Sequence, residues 1–205
     1  MPTATLGELA LSISQGLVTS GHGAGARPGD WLVQEVSLKN IVNNRIEVDS
    51  LDSIELEFNP RTERHLLRPY DVLVTARSTI AKAALVPPSL SRAVANATLA
   101  IVRPKDPEMG LFLWWFFTSR YGRTQLESRM VGTTVQLLRV SALAEIEVPV
   151  PPVRDLRVIA ELIESSERAY ESAVRAAEIR HALVRDHLIE DLLHAGGERT
   201  TNATH

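Results

Sequence analysis

A proline cluster followed by about forty residues without a helix breaker does most to constrain this chain. The segment reads EVPVPPVRDLRVIAELIE from Glu147 to Glu164, with prolines at Pro149, Pro151 and Pro152. Proline fixes φ and pushes the residue before it toward extended geometry, so Val148–Pro152 is predicted to be stiff and non-helical. After Pro152 neither proline nor glycine occurs until Gly196. Proline suits the start of a helix, where its missing N–H is no loss, and Asp155 places a negative charge in the first turn. A helix is therefore expected from about Arg154 to His194. It would be roughly 60 Å long, end at Gly196-Gly197, and leave a disordered tail over 196–205.

A helix of that length needs a partner for its apolar stripe. The stripe starts in heptad order with Leu156, Ile159, Ile163, Ser166, Tyr170, Ala173 and Ala177, then drifts toward Val184, Leu188 and Leu192. Alanines at 169, 173, 176 and 177 would let a second helix approach closely.

Residues 1–150 read as mixed α and β. Leu6–Ser14 is a short helix or strand entry, and the GHGAGARPG stretch from Gly21 to Gly29 is a flexible loop. Strands are expected at Trp31–Val36, Arg45–Val48, Ile54–Phe58, Asp71–Ala76, Ala83–Val86, Ala97–Val102, Val135–Val140 and Ile146–Val150. Met109–Arg129 is expected to be one helix packed on a sheet, with the Trp114-Trp115 pair in the core. The layout is then a domain over 1–150, a long helix over 151–195 and a tail over 196–205.

The chain has no cysteine, which excludes disulfides and thiolate metal sites. The N-terminus lacks a basic start and a continuous apolar stretch, so no signal peptide is expected. The most apolar run, MGLFLWWFF, is too short for a bilayer, and a cytoplasmic protein is expected. No triphosphate-binding glycine loop or Gly-x-Ser-x-Gly elbow occurs. The six histidines (His22, His65, His181, His187, His194, His205) show no zinc spacing. These absences argue for binding rather than catalysis, with no cofactor and no metal. Net charge is −3, yet residues 61–139 hold twelve basic side chains against five acidic ones. The middle of the chain is thus the part able to face a polyanion.

Several stretches together resemble the specificity (S) subunits of type I restriction–modification systems. WLVQEVSLKNIVNNRIE is similar to a strand-and-turn segment of that family. HLLRPYDVLVTARSTIAKAALV resembles its Leu-x-x-x-Asp-(Ile/Val)-Leu strand followed by Arg-Gly-Ser/Thr, with Ser78 standing where glycine is usual. ANATLAIVRP and then LFLWWFFTSRYGRTQLESRMVGTTVQLLRVSALAEIEVPVPPVRDLRVIAELI are similar to the closing pattern. That pattern is a helix near Ser-x-x-Gly, a Gly-Thr loop and a proline-rich strand entering a long helix. The usual glutamine after the prolines is replaced here by Arg154-Asp155-Leu156. The resemblance covers most of residues 6–193.

The resemblance implies an α+β fold: a mixed α/β target-recognition domain followed by a long C-terminal helix that forms an antiparallel coiled coil. It implies a non-catalytic subunit that binds double-stranded DNA and recruits a methyltransferase subunit and a restriction/translocase subunit. Typical members carry two such halves, so this single half would pair with itself or with another half. A homodimer would read a split palindrome. DNA reading calls for Arg or Lys toward phosphate and guanine, and for Asn or Gln toward adenine. The basic block supplies Arg61, Arg64, Arg77, Lys82, Arg92, Arg120, Arg123 and Arg139. The candidate DNA contacts are Arg77, Ser78, Thr79 and Lys82 in one loop and Thr133, Thr134, Gln136 and Arg139 in another, with Gln34 and Asn40. The candidate dimerisation positions are Leu156, Ile159, Ile163, Tyr170, Ala173, Ala177, Val184 and Leu188. The alternative reading is a coiled-coil assembly or adaptor protein that no longer reads DNA.

Overall fold

The structure, a computed structural model, describes residues 2–19, 31–57 and 59–200, with backbone only at 61, 191 and 193–200. The glycine-rich stretch 21–29, Phe58 and the last five residues lie outside it. Two units divide the chain, residues 1–160 and 161–205.

The first unit is built on a four-stranded antiparallel sheet. Its order is β2 (Ala10–Gln15), β11 (Leu99–Pro104), β7 (Val72–Thr75) and β9 (Ala83–Leu85). VLVT in β7 is apolar at nearly every position because the strand is buried throughout. Leu73, Leu99 and Ile101 join Val36, Ile41, Ile46 and Leu67 in one apolar cluster. The long apolar helix α3 (Pro107–Thr118) packs against β7, β9 and β11. It starts cleanly because Asp106 caps it, accepting from the Met109 N–H at 2.8 Å, with Pro107 in the first turn.

A second sheet runs β10 (Ala93–Ala95), β3 (Trp31–Val36), β6 (Asp52–Leu56), with β10 parallel and β6 antiparallel to β3. Between β3 and β6 a small hairpin, β4 (Ile41–Val42) and β5 (Arg45–Ile46), turns through Asn43 and Asn44, both at positive φ. Helix α2 (Pro60–His65) follows Asn59, whose side chain accepts from the Thr62 N–H.

The aspartate of the LRPYDVL segment has a structural role. Asp71 is fully buried and takes both Nε (3.0 Å) and an Nη (2.7 Å) of Arg103. The same guanidinium reaches the Leu66 carbonyl, and Asp71 also accepts from the Arg68 N–H. A buried pair of this kind is tolerated only when its remaining hydrogen-bonding groups are satisfied, as they are here.

Three sequence expectations over 109–140 need correcting. Met109–Arg129 is two helices: α3, then α4 (Arg120–Glu127). Ser119 breaks them by adopting extended geometry and capping α4 through the Gly122 N–H at 3.1 Å. A Cβ at Gly122 would collide with the Phe116 carbonyl, which explains the glycine of Ser-x-x-Gly. The Trp pair also splits. Trp114 is buried and donates to the Asn44 carbonyl at 3.0 Å, whereas Trp115 is 47% exposed. The helix is buried at all the remaining positions from Leu111 to Phe117, so Trp115 marks its narrow outward-facing strip. Finally, the strand expected over Val135–Val140 is confined to β12 (Gln136–Leu137), and Val140 opens helix α5 (Val140–Ala144).

The N-terminus closes on the proline segment. Strand β1 (Thr3–Thr5) pairs with β13 (Glu147–Pro149), and the Val150 N–H donates to the Pro2 carbonyl. Helix α1 (Leu6–Leu9) follows, with the Leu6 N–H on the Ile146 carbonyl. The joint is therefore held by strand pairing as well as by its prolines.

Helix α6 spans Val153–Thr200. It continues through Gly196-Gly197, where the sequence predicts its end. Glycine costs a helix about 1 kcal/mol without terminating it. The compact first unit reaches Ala160 because Leu156 and Ala160 are buried in it. Along α6, Leu156 and Ile163 are buried and Ile159 is half-buried, whereas Tyr170, Ala173, Ala177, Val184 and Leu188 are exposed. The sequence assigns the whole stripe to a partner helix, but its first two positions, Leu156 and Ile159, belong to the compact first unit. Among the described residues no helix is long and apolar enough to cross a membrane.

Candidate nucleic-acid interface

Strand β7 and strand β9 would form a simple hairpin but for a six-residue excursion over 76–81. Thr75 and Lys82 close its neck: the Thr75 N–H donates to the Lys82 carbonyl, and the Lys82 N–H donates to the Thr75 hydroxyl at 2.8 Å. The excursion then carries β8 (Arg77–Ser78), which pairs antiparallel with β12. Gln136 stands opposite Ser78 and Leu137 opposite Arg77. Backbone pairing thus joins the two loops singled out from the sequence, with Arg77 and Leu137 on one face of the ribbon and Ser78 and Gln136 on the other.

Neighbouring bonds fix that surface. The N–H groups of Ala76 and Arg77 both donate to the Thr98 carbonyl, and the Leu138 N–H donates to the Ala76 carbonyl. Val131 and Leu137 exchange two backbone hydrogen bonds, at 2.8 and 3.0 Å, so Val131 flanks β12 opposite Arg77. Ser78 does not adopt positive φ. Its hydroxyl instead accepts from the Ile80 N–H at 3.2 Å, tightening the turn. Gly132 does need to be glycine: its φ is +124°, and a Cβ there would meet the Val135 carbonyl at 2.6 Å.

Arg77, Thr79, Thr133, Thr134 and Arg139 are exposed, and Ser78 and Gln136 are half-buried. Among the described residues no ion pair or hydrogen bond engages the guanidinium of Arg77 or Arg139, or the Gln136 side-chain amide. Neither 77–85 nor 131–144 contains an acid. The surface therefore offers two unpaired cations, several hydroxyls and one unused amide, with no carboxylate in either segment.

Three sequence candidates do not belong with these. Asn40 is buried, and its side chain is fully used. Its carbonyl oxygen accepts from the Ser37 N–H and hydroxyl, and its amide donates to Ser50. Lys82 Nζ donates to the Ile41 carbonyl at 2.6 Å, so it holds the β4 turn beside the loop. Gln34 lies on β3, between Ser53 and Ala93, in the other sheet. Of the remaining basic residues, Arg123 lies on α4, 3.4 Å from Asn44 Oδ1, and Arg64 bonds back to the Pro60 carbonyl.

Sequence reasoning missed three exposed apolar side chains in the same place: Ile80, Val131 and Val135. Apolar content alone suggested core. The signal that could have found them is their position in short loops flanked by glycine and hydroxyl residues.

No family model matches the sequence, and no curated protein matches it. Solved structures do. A chain from a structure of type I R-M complex assembly and conformational transition is 18% identical with a TM-score of 0.62; the match covers 90% of this chain and 43% of that one. The type I restriction–modification S subunit from M. genitalium is 14% identical with a TM-score of 0.56, covering 83% of this chain and 40% of that one. The HsdS subunit from Thermoanaerobacter tengcongensis is 23% identical with a TM-score of 0.55, covering 83% and 43%. The chain spans about two fifths of the length of these structures. In fold the chain is similar to these S-subunit structures.

Proposed function

We propose that this chain is a DNA-recognition subunit that reads one half of a split duplex site and carries no catalysis of its own. Methylation, and cleavage where it occurs, would belong to methyltransferase and restriction subunits recruited to it. The observation that carries this reading is the β8–β12 pair. It joins two acid-free loops whose Arg77, Arg139 and Gln136 side chains have no partner among the described residues, in a chain with a fold similar to S subunits. Unpaired guanidiniums beside hydroxyls are what phosphate and base edges require.

The exposed stripe on α6, from Tyr170 to Leu188, supports pairing with a second helix, either from another copy of the chain or from a different half. The same stripe also favours the alternative, an assembly or adaptor protein without DNA reading. Duplex binding measured by fluorescence anisotropy across a salt series separates the two. DNA reading predicts enrichment of one split sequence from a randomised pool and an affinity that falls steeply with salt. An adaptor gives neither, and replacing Arg77 and Arg139 would leave its function intact.

A further inference from the structure

We propose that Ile80, Val131 and Val135 form an apolar contact that reads the 5-methyl group of thymine in the major groove. The inference rests on the DNA-recognition reading above and names a chemistry within it.

These side chains are 60%, 56% and 54% exposed, although all three are β-branched and apolar. They are also neighbours through the backbone. Val131 is bonded to Leu137, Leu137 lies opposite Arg77, and Val135 directly precedes Gln136, the partner of Ser78. Ile80 is drawn back onto Ser78 by its N–H bond to the Ser78 hydroxyl. Ile80 and Val135 therefore lie within two residues of the β8–β12 pair, and Val131 is hydrogen-bonded to it. Single exposed apolar residues need no explanation, but three in one small loop cluster do.

Charge argues for the occupant. The cluster shares its two segments with Arg77 and Arg139, which have no ion-pair partner among the described residues, and those segments hold no acid. A polyanion can approach such a patch, whereas another apolar protein surface would have to bury two unpaired guanidiniums. The major groove admits a two-stranded β-ribbon, and the one apolar group on its floor is the thymine methyl. A branched aliphatic side chain fits that methyl without leaving a polar group unsatisfied. The adjacent Gln136 amide has the donor and acceptor that adenine presents in the same groove. Together they make a reader biased toward A·T pairs.

The test uses the full chain and the duplex it enriches from a randomised pool. Each thymine is replaced in turn by deoxyuridine, which removes only the methyl group. At one or two thymines affinity should fall roughly fourfold, the value of one buried methyl. Ile80→Ser and Val135→Ser should lose that difference while binding the uracil duplex as the parent does. Both positions are exposed, and circular dichroism verifies that the variants are folded. If every uracil substitution on a specifically bound duplex stays within about twofold, the thymine contact is wrong and DNA recognition stands. If the pool yields no enriched sequence, both fall together. A partner protein covering the patch would appear as uracil indifference combined with partner binding that Ile80→Ser abolishes.

Discussion

Gln136 pairs with Ser78 across an antiparallel register, joining the loop after β7 to the loop before α5. The pairing brings together the segments that carry Arg77 and Arg139, and neither has an acidic partner among the described residues. Arg77→Ala and Arg139→Ala should each weaken duplex binding. A guanidinium on a phosphate should lower the salt slope by about 1 and weaken all sequences alike. A guanidinium on a guanine edge should cost about 1–3 kcal/mol and relax preference at one base pair. Anisotropy at several salt concentrations, on the selected site and on scrambled DNA, tells these apart.

Asp71 and Arg103 form a buried pair, their side chains 1% and 12% exposed. Arg103→Met strands the carboxylate among apolar neighbours and should cost about 3–5 kcal/mol. Replacing both partners with apolar residues should recover much of that loss, because no charge is then left unpaired. Urea unfolding of the two single variants and the double variant measures it. Equal loss in the double and single variants would show that the pair contributes more than mutual neutralisation.

Much of this fold was legible because strand signals are local. TrpLeuValGlnGluVal and ValLeuValThr form strands where period and β-branching place them. Legibility fails where a long-range bond overrides local pattern. Val135–Val140 reads as one strand, but only Gln136 and Leu137 find a partner, and Arg139 then leads into α5. The single helix expected over Met109–Arg129 overlooked Ser119, whose hydroxyl caps α4. At the candidate site the polar residues were foreseeable from type and loop context. The pairing of the two loops was not, and neither was the internal use of Asn40 and Lys82. Both depend on which carbonyls the fold brings near.

Gly132→Ala tests whether loop shape sets recognition. A φ of +124° is strained for any L side chain, and the Val135 carbonyl leaves no room for a Cβ. The substitution should destabilise by about 1 kcal/mol or more. It should also displace Thr133 and Thr134, blurring the selected sequence while leaving salt-dependent, non-specific binding in place. Unchanged selectivity would exclude the Gly132–Val135 segment from base reading.

The N-terminal clamp has a pH signature. Glu8 accepts from the Thr5 N–H at 2.8 Å and the Thr5 hydroxyl at 3.0 Å, and these bonds hold its carboxyl below the usual value of 4.5. A carboxylate with a depressed folded-state pKa stabilises above its unfolded value, and that stabilisation is lost as pH falls through the folded value. Parent and Glu8→Gln should therefore differ in thermal stability at neutral pH and converge in acid. A gap that persists at low pH would trace the effect to geometry rather than charge.

The last prediction concerns α6. Tyr170, Val184 and Leu188 are each more than half exposed on a 48-residue helix, while Ala173 and Ala177 leave space between them for a close neighbour. A helix with so much uncovered apolar surface needs a partner, since tertiary contact stabilises most protein helices. If that partner is a second copy, the chain should sediment as a dimer, and Val184→Glu with Leu188→Glu should make it a monomer. Those positions lie outside the β8–β12 surface, so the monomer should keep the sequence preference of a single half-site. It should lose the added affinity that two tethered readers give for a split duplex, which on linkage grounds is about a hundredfold or more. A parent that stays monomeric at its highest soluble concentration would direct the search to a different half-subunit. A dimer that survives both glutamates would move the interface to the face of Val158 and Leu162, which is also exposed.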